Sequence, residues 1–129
     1  MVGGEDEMNV YKFWKAVLTQ DESEIRTYFH PDACVDWHCT NEHFSVDEFI
    51  IANCEYPGDW DGEVERVEEM DGLLITVTRV WPKDNTASFH VTSFIKLAKG
   101  KITSMDEYWA DDGDPPRWRQ DKHIGKPIR

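Results

Sequence analysis

Two adjacent carboxylates late in the chain, Asp106 and Glu107, are the first candidates for chemistry. They lie in residues 100–112, GKITSMDEYWADD, where a glycine turn leads into alternation typical of a β-strand. One face would carry Ile102, Ser104, Asp106 and Tyr108, and the other Thr103, Met105, Glu107 and Trp109. Both faces mix apolar and acidic residues, so alternation alone leaves open which one is buried. A carboxylate between Met and Trp is typical of a pocket wall; the alternative is an edge strand with a solvated carboxylate.

The composition predicts a single folded domain. The chain has 129 residues, of which 40% are hydrophobic and 31% charged, enough for a sizeable core. No apolar run approaches the ~18–20 residues of a membrane span, and the acidic N-terminus has no apolar signal region. We therefore expect a cytoplasmic protein. Cys34, Cys39 and Cys54 are odd in number and without a CxxC motif, which favours reduced thiols.

The net charge of −12 argues against nucleic acid and anionic membranes as partners, since both require a basic surface. The charge is unevenly spread: residues 1–114 hold 9 Lys/Arg and 25 Asp/Glu, whereas residues 115–129 hold 5 Lys/Arg and only Asp121. With Trp118 and Ile128 in this basic segment, we expect residues 111–129 to form a tail docked on the domain or on a partner subunit. The alternative is a frayed terminus.

The hydrophobic spacing predicts three helices ahead of a sheet. The first covers residues 5–18, Asp21 begins the second, and Ser45 with Glu48 begins the third as a capping box. A short strand over residues 33–39 separates the second and third helices. Four strands follow, over residues 63–70, 73–81, 86–97 and 100–109. Helices followed by an antiparallel meander favour an α+β fold, in which three helices on one curved sheet enclose a conical hollow.

Residues 33–37 (ACVDW), 77–81 and 100–109 resemble strands of ketosteroid isomerase, the last with its Ser-Met and Tyr-Trp pairs. The chain thus resembles the nuclear transport factor 2-like superfamily, which includes that enzyme, SnoaL-type polyketide cyclases, scytalone dehydratase and limonene epoxide hydrolase. The resemblance implies a cone-shaped α+β fold, with three N-terminal helices packed on a curved, mostly antiparallel sheet, as a SnoaL-like domain over residues 1–110. Residues 41–42, 56–60 and 116–119 resemble a SnoaL-like subgroup without an activity attached.

The resemblance also implies which side chains face the hollow. They are Val35, Trp37, Ile75, Val77, Arg79, Trp81, Val91, Ser93, Ile95, Met105, Glu107 and Trp109. His90 and its neighbours would lie on the outer sheet face, where relatives pair as dimers. The isomerase's tyrosine, general base and protonated aspartate fall on Phe13, Trp37 and Ser93, which argues against steroid isomerisation. Glu107 occupies the place of an acidic residue that acts as acid/base in the cyclases.

Glu107 and Arg79 are therefore the predicted catalytic pair, with Glu107 as acid/base and Arg79 as its electrostatic partner. Two opposite charges in one cavity should meet, because an unpaired buried charge is costly. A purely structural ion pair is the alternative. The predicted ligand-binding residues, mostly flat or apolar, are Trp37, Tyr56, Trp60, Val77, Ser93, Met105, Trp109 and Trp118. Core packing is the alternative for the aromatic residues.

We expect no metal and no cofactor. His38, His43, Cys34 and Asp36 are close in sequence, but residues i and i+2 of a strand lie ~6–7 Å apart, too far for one ion without other elements. Motifs for nucleophilic catalysis are absent. The sequence favours a small-molecule pocket protein, as a cofactor-independent isomerase, cyclase or dehydratase. The alternatives are a non-catalytic domain that binds a hydrophobic ligand and a homodimeric interaction domain.

Overall fold

The computed structural model describes residues 8–129, which form an α+β fold of helices packed on one sheet. In chain order the elements are α1 (Val10–Leu18), α2 (Glu22–Thr27), β1 (Phe29–Trp37), β2 (Glu42–Ser45), α3 (Val46–Cys54), β3 (Trp60–Met70), β4 (Leu73–Pro82), β5 (Phe89–Ala98), β6 (Lys101–Asp111) and α4 (Arg117–Asp121). The predicted fold class is confirmed. No helix among the described residues is long and apolar enough to cross a membrane.

The six strands form one sheet in the order β2-β1-β6-β5-β4-β3. Strands β3 to β6 are a meander of antiparallel hairpins, and β2 is antiparallel to β1. Strand β1 instead pairs with β6 in parallel. A parallel pair needs a crossover connection. Here the segment from β2 through α3 to β5 forms that connection. The first long strand and the last therefore lie side by side inside the sheet.

Side-chain caps fix where the N-terminal helices begin. The Asn9 carboxamide accepts from the Lys12 N–H, and the Asp21 carboxylate accepts from the Glu24 N–H. At α3 the Ser45 hydroxyl accepts from the Glu48 N–H at 3.2 Å, and the Glu48 carboxylate accepts from the Ser45 N–H at 2.9 Å. Such caps satisfy N–H groups that have no partner within the helix. The predicted starts at Asp21 and Ser45 are confirmed, and residues 5–7 of the predicted first helix lie outside the described part.

The core lies between the helices and the inner face of the sheet. Helix α1 buries Val10, Phe13, Trp14 and Val17 on one side, because these residues recur at helical spacing. Phe13 is fully buried and meets the Phe29 ring edge to face, with 5.9 Å between ring centroids. Each such side chain contributes about 1.5–3 kcal/mol through its removal from water. The position of α1 over the sheet is therefore set by its apolar side.

Gly62 on β3 allows the end of α1 to approach the sheet. A Cβ atom at this position would lie 2.8 Å from the Arg79 carbonyl oxygen and 2.8 Å from Leu18 Cδ1. The backbone oxygen cannot move aside without disturbing the β3–β4 pairing, and the Leu18 side chain would have to turn away, so a larger residue would disturb the sheet and the contact with α1. Since Leu18 lines the cavity described below, this close contact also helps to define the cavity wall.

Three segments differ from the sequence predictions. Strand β1 begins at Phe29 rather than at residue 33, and its pairing with β6 is irregular between Phe29 and Cys34, around Pro31. Residues 42–45 form β2 because β1 offers them a free edge, although the sequence predicted a loop over residues 40–43 and the start of the third helix from Phe44. The tail, predicted to be irregular, contains the short helix α4. Trp118 is 58% exposed and Ile128 93% exposed, so docking of this tail stays a prediction.

Candidate functional site

A row of four side chains crosses the inner face of the sheet. The register pairs Thr76 with Ser93, Ser93 with Glu107, and Glu107 with Trp37, on strands β4, β5, β6 and β1 in turn. Directly opposed residues on neighbouring strands point to the same face. The sheet therefore places a carboxyl, a hydroxyl and an indole within contact distance under the helices.

Glu107 is buried and hydrogen-bonded at both oxygens. Its exposed fraction is 2%. The Trp37 indole Nε1–H donates to Oε1 at 3.0 Å, and the Ser93 hydroxyl donates to Oε2 at 2.6 Å. Burial in this apolar setting raises the pKa of Glu107, while hydrogen bonds from Ser93 and Trp37 and the nearby Trp109 indole partly oppose the shift. The Trp109 N–H is itself buried without completing a hydrogen bond.

A cavity of about 300 Å³ lies between the helices and the sheet, next to this row. Its wall consists mainly of aromatic and aliphatic side chains. The lining residues are Trp14, Val17, Leu18, Gln20, Trp37, Cys39, Thr40, Ala52, Asn53, Tyr56, Trp60, Val80, Phe89, Trp109 and Asp111. A small apolar cleft with few polar groups is typical of sites for small ligands.

The polar lining residues are mostly occupied by the protein itself. The Gln20 amide donates to the carbonyl oxygens of Asn53 and Tyr56, both at 2.8 Å. The Asn53 amide donates to the Phe49 carbonyl, and the Thr40 hydroxyl to Glu42. Asp111 is exposed at the end of β6 and contributes a negative charge. No Lys, Arg or His belongs to this lining within residues 8–129.

Glu107 is separated from the cavity by two indoles. Trp37 and Trp109 both line the cavity, and their ring centroids are 6.2 Å apart. Glu107 is not among the lining residues; it lies beyond Trp37, the donor to its Oε1. A ligand in the cavity would therefore contact the indoles first, and it would reach the carboxyl only if an indole turned aside.

The structure distributes the predicted ligand-binding residues over five environments. Trp37, Tyr56, Trp60 and Trp109 line the cavity. Ser93 holds Glu107, Met105 is buried in the core, Val77 lies outside the inner row, and Trp118 is exposed in the tail.

Arg79 does not meet Glu107, which corrects the predicted pairing. In β4 the buried residues are Leu74, Thr76, Thr78, Val80 and Pro82, so the alternate residues Ile75, Val77, Arg79 and Trp81 face outward. The expected inward placement of these four was one residue out of phase. Arg79 Nε donates to the Ser88 hydroxyl at 3.2 Å, and its guanidinium lies 4.3 Å from the centroid of the Trp81 ring.

Sequence reasoning missed several residues of the cavity wall. Trp14 was not among the predicted ligand-binding residues, and its helical spacing gave no sign that one side of the ring faces an open space. Phe89 and Val80 lie at strand ends that face the cavity. Asp111 was assigned to the tail, although β6 extends as far as this residue. For Asp111, continued alternation after Trp109 was the available signal.

Solved structures of other proteins share this architecture. A protein from Kribbella flavida, provisionally named a ketosteroid isomerase, has a TM-score of 0.76 at 18% identity, covering 92% of this chain and 87% of its own. A protein of unknown function from Burkholderia xenovorans, described as nuclear transport factor 2-like, has a TM-score of 0.74 at 20% identity, covering 92% and 91%. The chain has the nuclear transport factor 2-like fold. The predicted resemblance is confirmed at this level.

Proteins with this fold differ in the activities named for them. A protein from Shewanella putrefaciens, provisionally named a SnoaL-like polyketide cyclase, has a TM-score of 0.64 at 13% identity, covering 80% of this chain and 77% of its own. No protein-family model matches the sequence, and no curated protein sequence matches it significantly. The nuclear transport factor 2-like fold is shared by unrelated chemistries, so the function must be argued from the site.

Proposed function

We propose that the protein binds a small, apolar molecule that is uncharged or cationic in the cavity between the helices and the sheet. The observation that carries this proposal is the lining: six aromatic rings and Asp111, without a basic side chain among the described residues. An anion would lose its hydration there without gaining a counter-charge. A cation would gain the faces of the Trp and Tyr rings.

Charge also favours this ligand class at a distance. The chain carries a net charge of −12, and residues 1–114 hold 9 Lys/Arg against 25 Asp/Glu. A negative surface around a cleft repels anions and attracts cations during encounter. We therefore expect ligands with a carboxylate or phosphate group to bind weakly, and aromatic amines or neutral planar molecules to bind more tightly.

Three probes that share one ring system test the ligand class. They are 1-naphthol, a naphthylmethyl-trimethylammonium ion and 1-naphthalenesulfonate, with binding followed by tryptophan fluorescence. We expect the neutral and cationic probes to bind at least tenfold more tightly than the anion. Equal or tighter binding of the sulfonate would overturn the proposal.

Variants of the lining locate the probe. Trp60→Ala should weaken all binding probes, because it removes one aromatic wall. Asp111→Asn should weaken only the cation, by about fivefold or less, since an exposed charge pair is worth about 0.2–1 kcal/mol. Asp114→Asn is the matched control, because Asp114 lies outside the cavity. An equal effect of the two Asp substitutions would show that Asp111 has no direct contact.

A second candidate function is acid–base catalysis by Glu107. The observation in its favour is a buried carboxyl with two directed hydrogen bonds, separated from the cavity by the Trp37 and Trp109 side chains. With the Trp37 indole turned aside, the Glu107 carboxylate could take a proton next to a substrate carbonyl and return it to another atom. This corresponds to an isomerase, cyclase or dehydratase that needs no cofactor.

Proton exchange tests this chemistry without knowledge of the substrate. Deuterium incorporation next to the carbonyl of 2-tetralone, a neutral aromatic ketone, is followed by NMR. Catalysis would make exchange faster than in buffer, and Glu107→Gln would slow it by about 10²-fold or more. Asp106→Asn, the matched control on the opposite face, should leave it unchanged. Exchange no faster than in buffer would argue against this catalysis and would favour a protein that only binds its ligand.

The expected homodimer is a separate prediction, which sedimentation in the analytical ultracentrifuge would measure.

A further inference from the structure

The outer face of the sheet carries a second group of candidate ligands, which is independent of the cavity. Asp36 and Asp106 are register partners on the parallel strands β1 and β6, and His38 is the first residue of the turn after β1, two positions beyond Asp36. One ligand atom from each of these three residues lies within 4.8 Å of the other two. We propose that Asp36, His38 and Asp106 bind a divalent transition-metal ion of the zinc type.

The distances suit a metal ion after small side-chain rotations. His38 Nε2 lies 2.7 Å from Asp106 Oδ1. Ligand atoms about 2.0–2.2 Å from a tetrahedral zinc ion lie roughly 3.3 Å from each other. The His38 and Asp106 atoms must therefore move apart by roughly 0.6 Å, and the Asp36 atom, which lies within 4.8 Å of both, must approach them by about 1.5 Å at most.

Two of the ligands are held by strands, and the third, in the turn after β1, is held by contacts with β6. Both carboxylates project from paired strands inside the sheet. The His38 ring stacks on Tyr108, with 4.4 Å between centroids and 11° between planes, and the His38 N–H donates to the Glu107 carbonyl at 3.0 Å. A site whose ligands are already oriented loses less conformational entropy on binding than one built from loops.

His43 on β2 is the positioning residue of this site. It is the register partner of Asp36, and its Nδ1 lies 2.5 Å from Asp36 Oδ1. In metal sites a hydrogen bond to a ligating carboxylate fixes its orientation, and loss of such a bond commonly costs 10–100-fold in metal affinity. Three protein ligands with one such partner leave a coordination position for water or for a further ligand.

Electrostatics supports a cation at this position. Asp36 and Asp106 oppose each other directly on neighbouring strands, and like charges in that position repel. Within residues 8–129, neither carboxylate forms an ion pair with Lys or Arg; their side-chain partners are the His43 and His38 rings. A divalent ion would neutralise both carboxylates at once. Imidazole with carboxylate favours zinc-type ions over calcium or magnesium, which prefer all-oxygen sites.

Calorimetric titration of the untagged full chain with Zn²⁺ tests the proposal. We expect one ion per chain, with affinity lowered at least tenfold by His38→Gln and by Asp106→Asn. We expect a smaller loss for His43→Gln, and little response to Ca²⁺. His90→Gln is the matched control, because His90 also contacts two carboxylates, Glu65 and Asp112, on another part of the sheet.

Cobalt gives an independent readout. Co²⁺ bound to imidazole and carboxylates should show visible absorption bands that disappear in Asp106→Asn and persist in His90→Gln. Stoichiometric binding that survives His38→Gln and Asp106→Asn would overturn the proposal, as would binding lost only in His90→Gln. Zn²⁺ uptake that is weak and without fixed stoichiometry would also overturn it. Because all three ligands are partly exposed, their polar substitutions should fold, and circular dichroism checks this.

Discussion

The two faces of the β1–β6 strand pair carry acidic groups in opposite surroundings. On the inner face Trp37 meets Glu107, and one residue earlier along both strands Asp36 meets Asp106 on the outer face. Glu107 is buried and held by neutral donors, whereas Asp106 is partly exposed and held by a histidine. The same pair of strands thus presents a buried carboxyl with a raised pKa, Glu107, on one side. On the other side it presents two partly exposed carboxylates, Asp36 and Asp106, which we propose bind a cation. The difference arises from the solvent and the donors, and not from the strand register.

The largest effect should come from truncating the two carboxylates in turn. Glu107→Ala leaves a cavity and two buried donors, Ser93 and Trp37, without their acceptor, and should lower the free energy of unfolding by about 2–4 kcal/mol. Asp106→Ala, on the outer face, should change the free energy of unfolding by about 0.5 kcal/mol or less. Urea unfolding of the two variants measures this difference. Equal losses would mean that the two faces are not as different as their burial indicates.

A smaller loss of stability is expected from removal of one hydrogen-bond donor on the inner face of the sheet. Ser93→Ala should cost about 1–3 kcal/mol, because Glu107 Oε2 loses its partner inside the protein. It should also raise the pKa of Glu107 further, since the Ser93 hydrogen bond favours the charged form. Carbon-13 NMR titration of the Glu107 carboxyl measures that change in pKa. Ser104→Ala on the outer face of β6 is the control, and a comparable loss there would contradict the prediction.

The third prediction concerns pH. Because burial raises the folded-state pKa of Glu107 above its ordinary value of 4.5, the folded protein holds this proton more tightly than the unfolded chain does. Stability associated with the neutral carboxyl is full below pH 4.5 and falls as the pH rises towards the folded-state pKa, with a slope of at most about 1.4 kcal/mol for each step of one in pH. Glu107→Gln should remove this slope, and Asp106→Asn should retain it. A wild-type profile parallel to that of Glu107→Gln would contradict the assignment.

The fold could be predicted from the sequence because its signals are local. The caps at Asp21 and Ser45, the apolar side of α1 and the strand alternation each specify an element independently of the others. The placement of Glu107 with Trp37 and Ser93 on the inner face came from the resemblance and agrees with the structure. The residues alone had left both faces of β6 open.

The phase of β4 could not be predicted from hydrophobicity. The inward facing of Ile75, Val77, Arg79 and Trp81 came from the resemblance. Hydrophobicity does not correct it, because the outward Ile75, Val77 and Trp81 are more apolar than the inward Thr76 and Thr78. The inward phase follows from pairing with β5, which places Thr76 beside Ser93 in the polar part of the core. The Asp36–Asp106 neighbourhood was hidden for a related reason, since only the parallel pairing of the first and last long strands creates it.

That parallel pairing has a kinetic consequence. Trp37 and Glu107 are 70 residues apart in the chain, whereas the hairpins from β3 to β6 join neighbours in sequence. Contacts that close long loops form late, because the chain loses the entropy of loop closure before the contacts can stabilise it. We expect the meander to assemble first and β1 to be added to β6 near the end of folding. During synthesis, a ribosome-bound chain that ends before β6 would contain all the helices of the cavity and still lack the strand that completes both acidic sites.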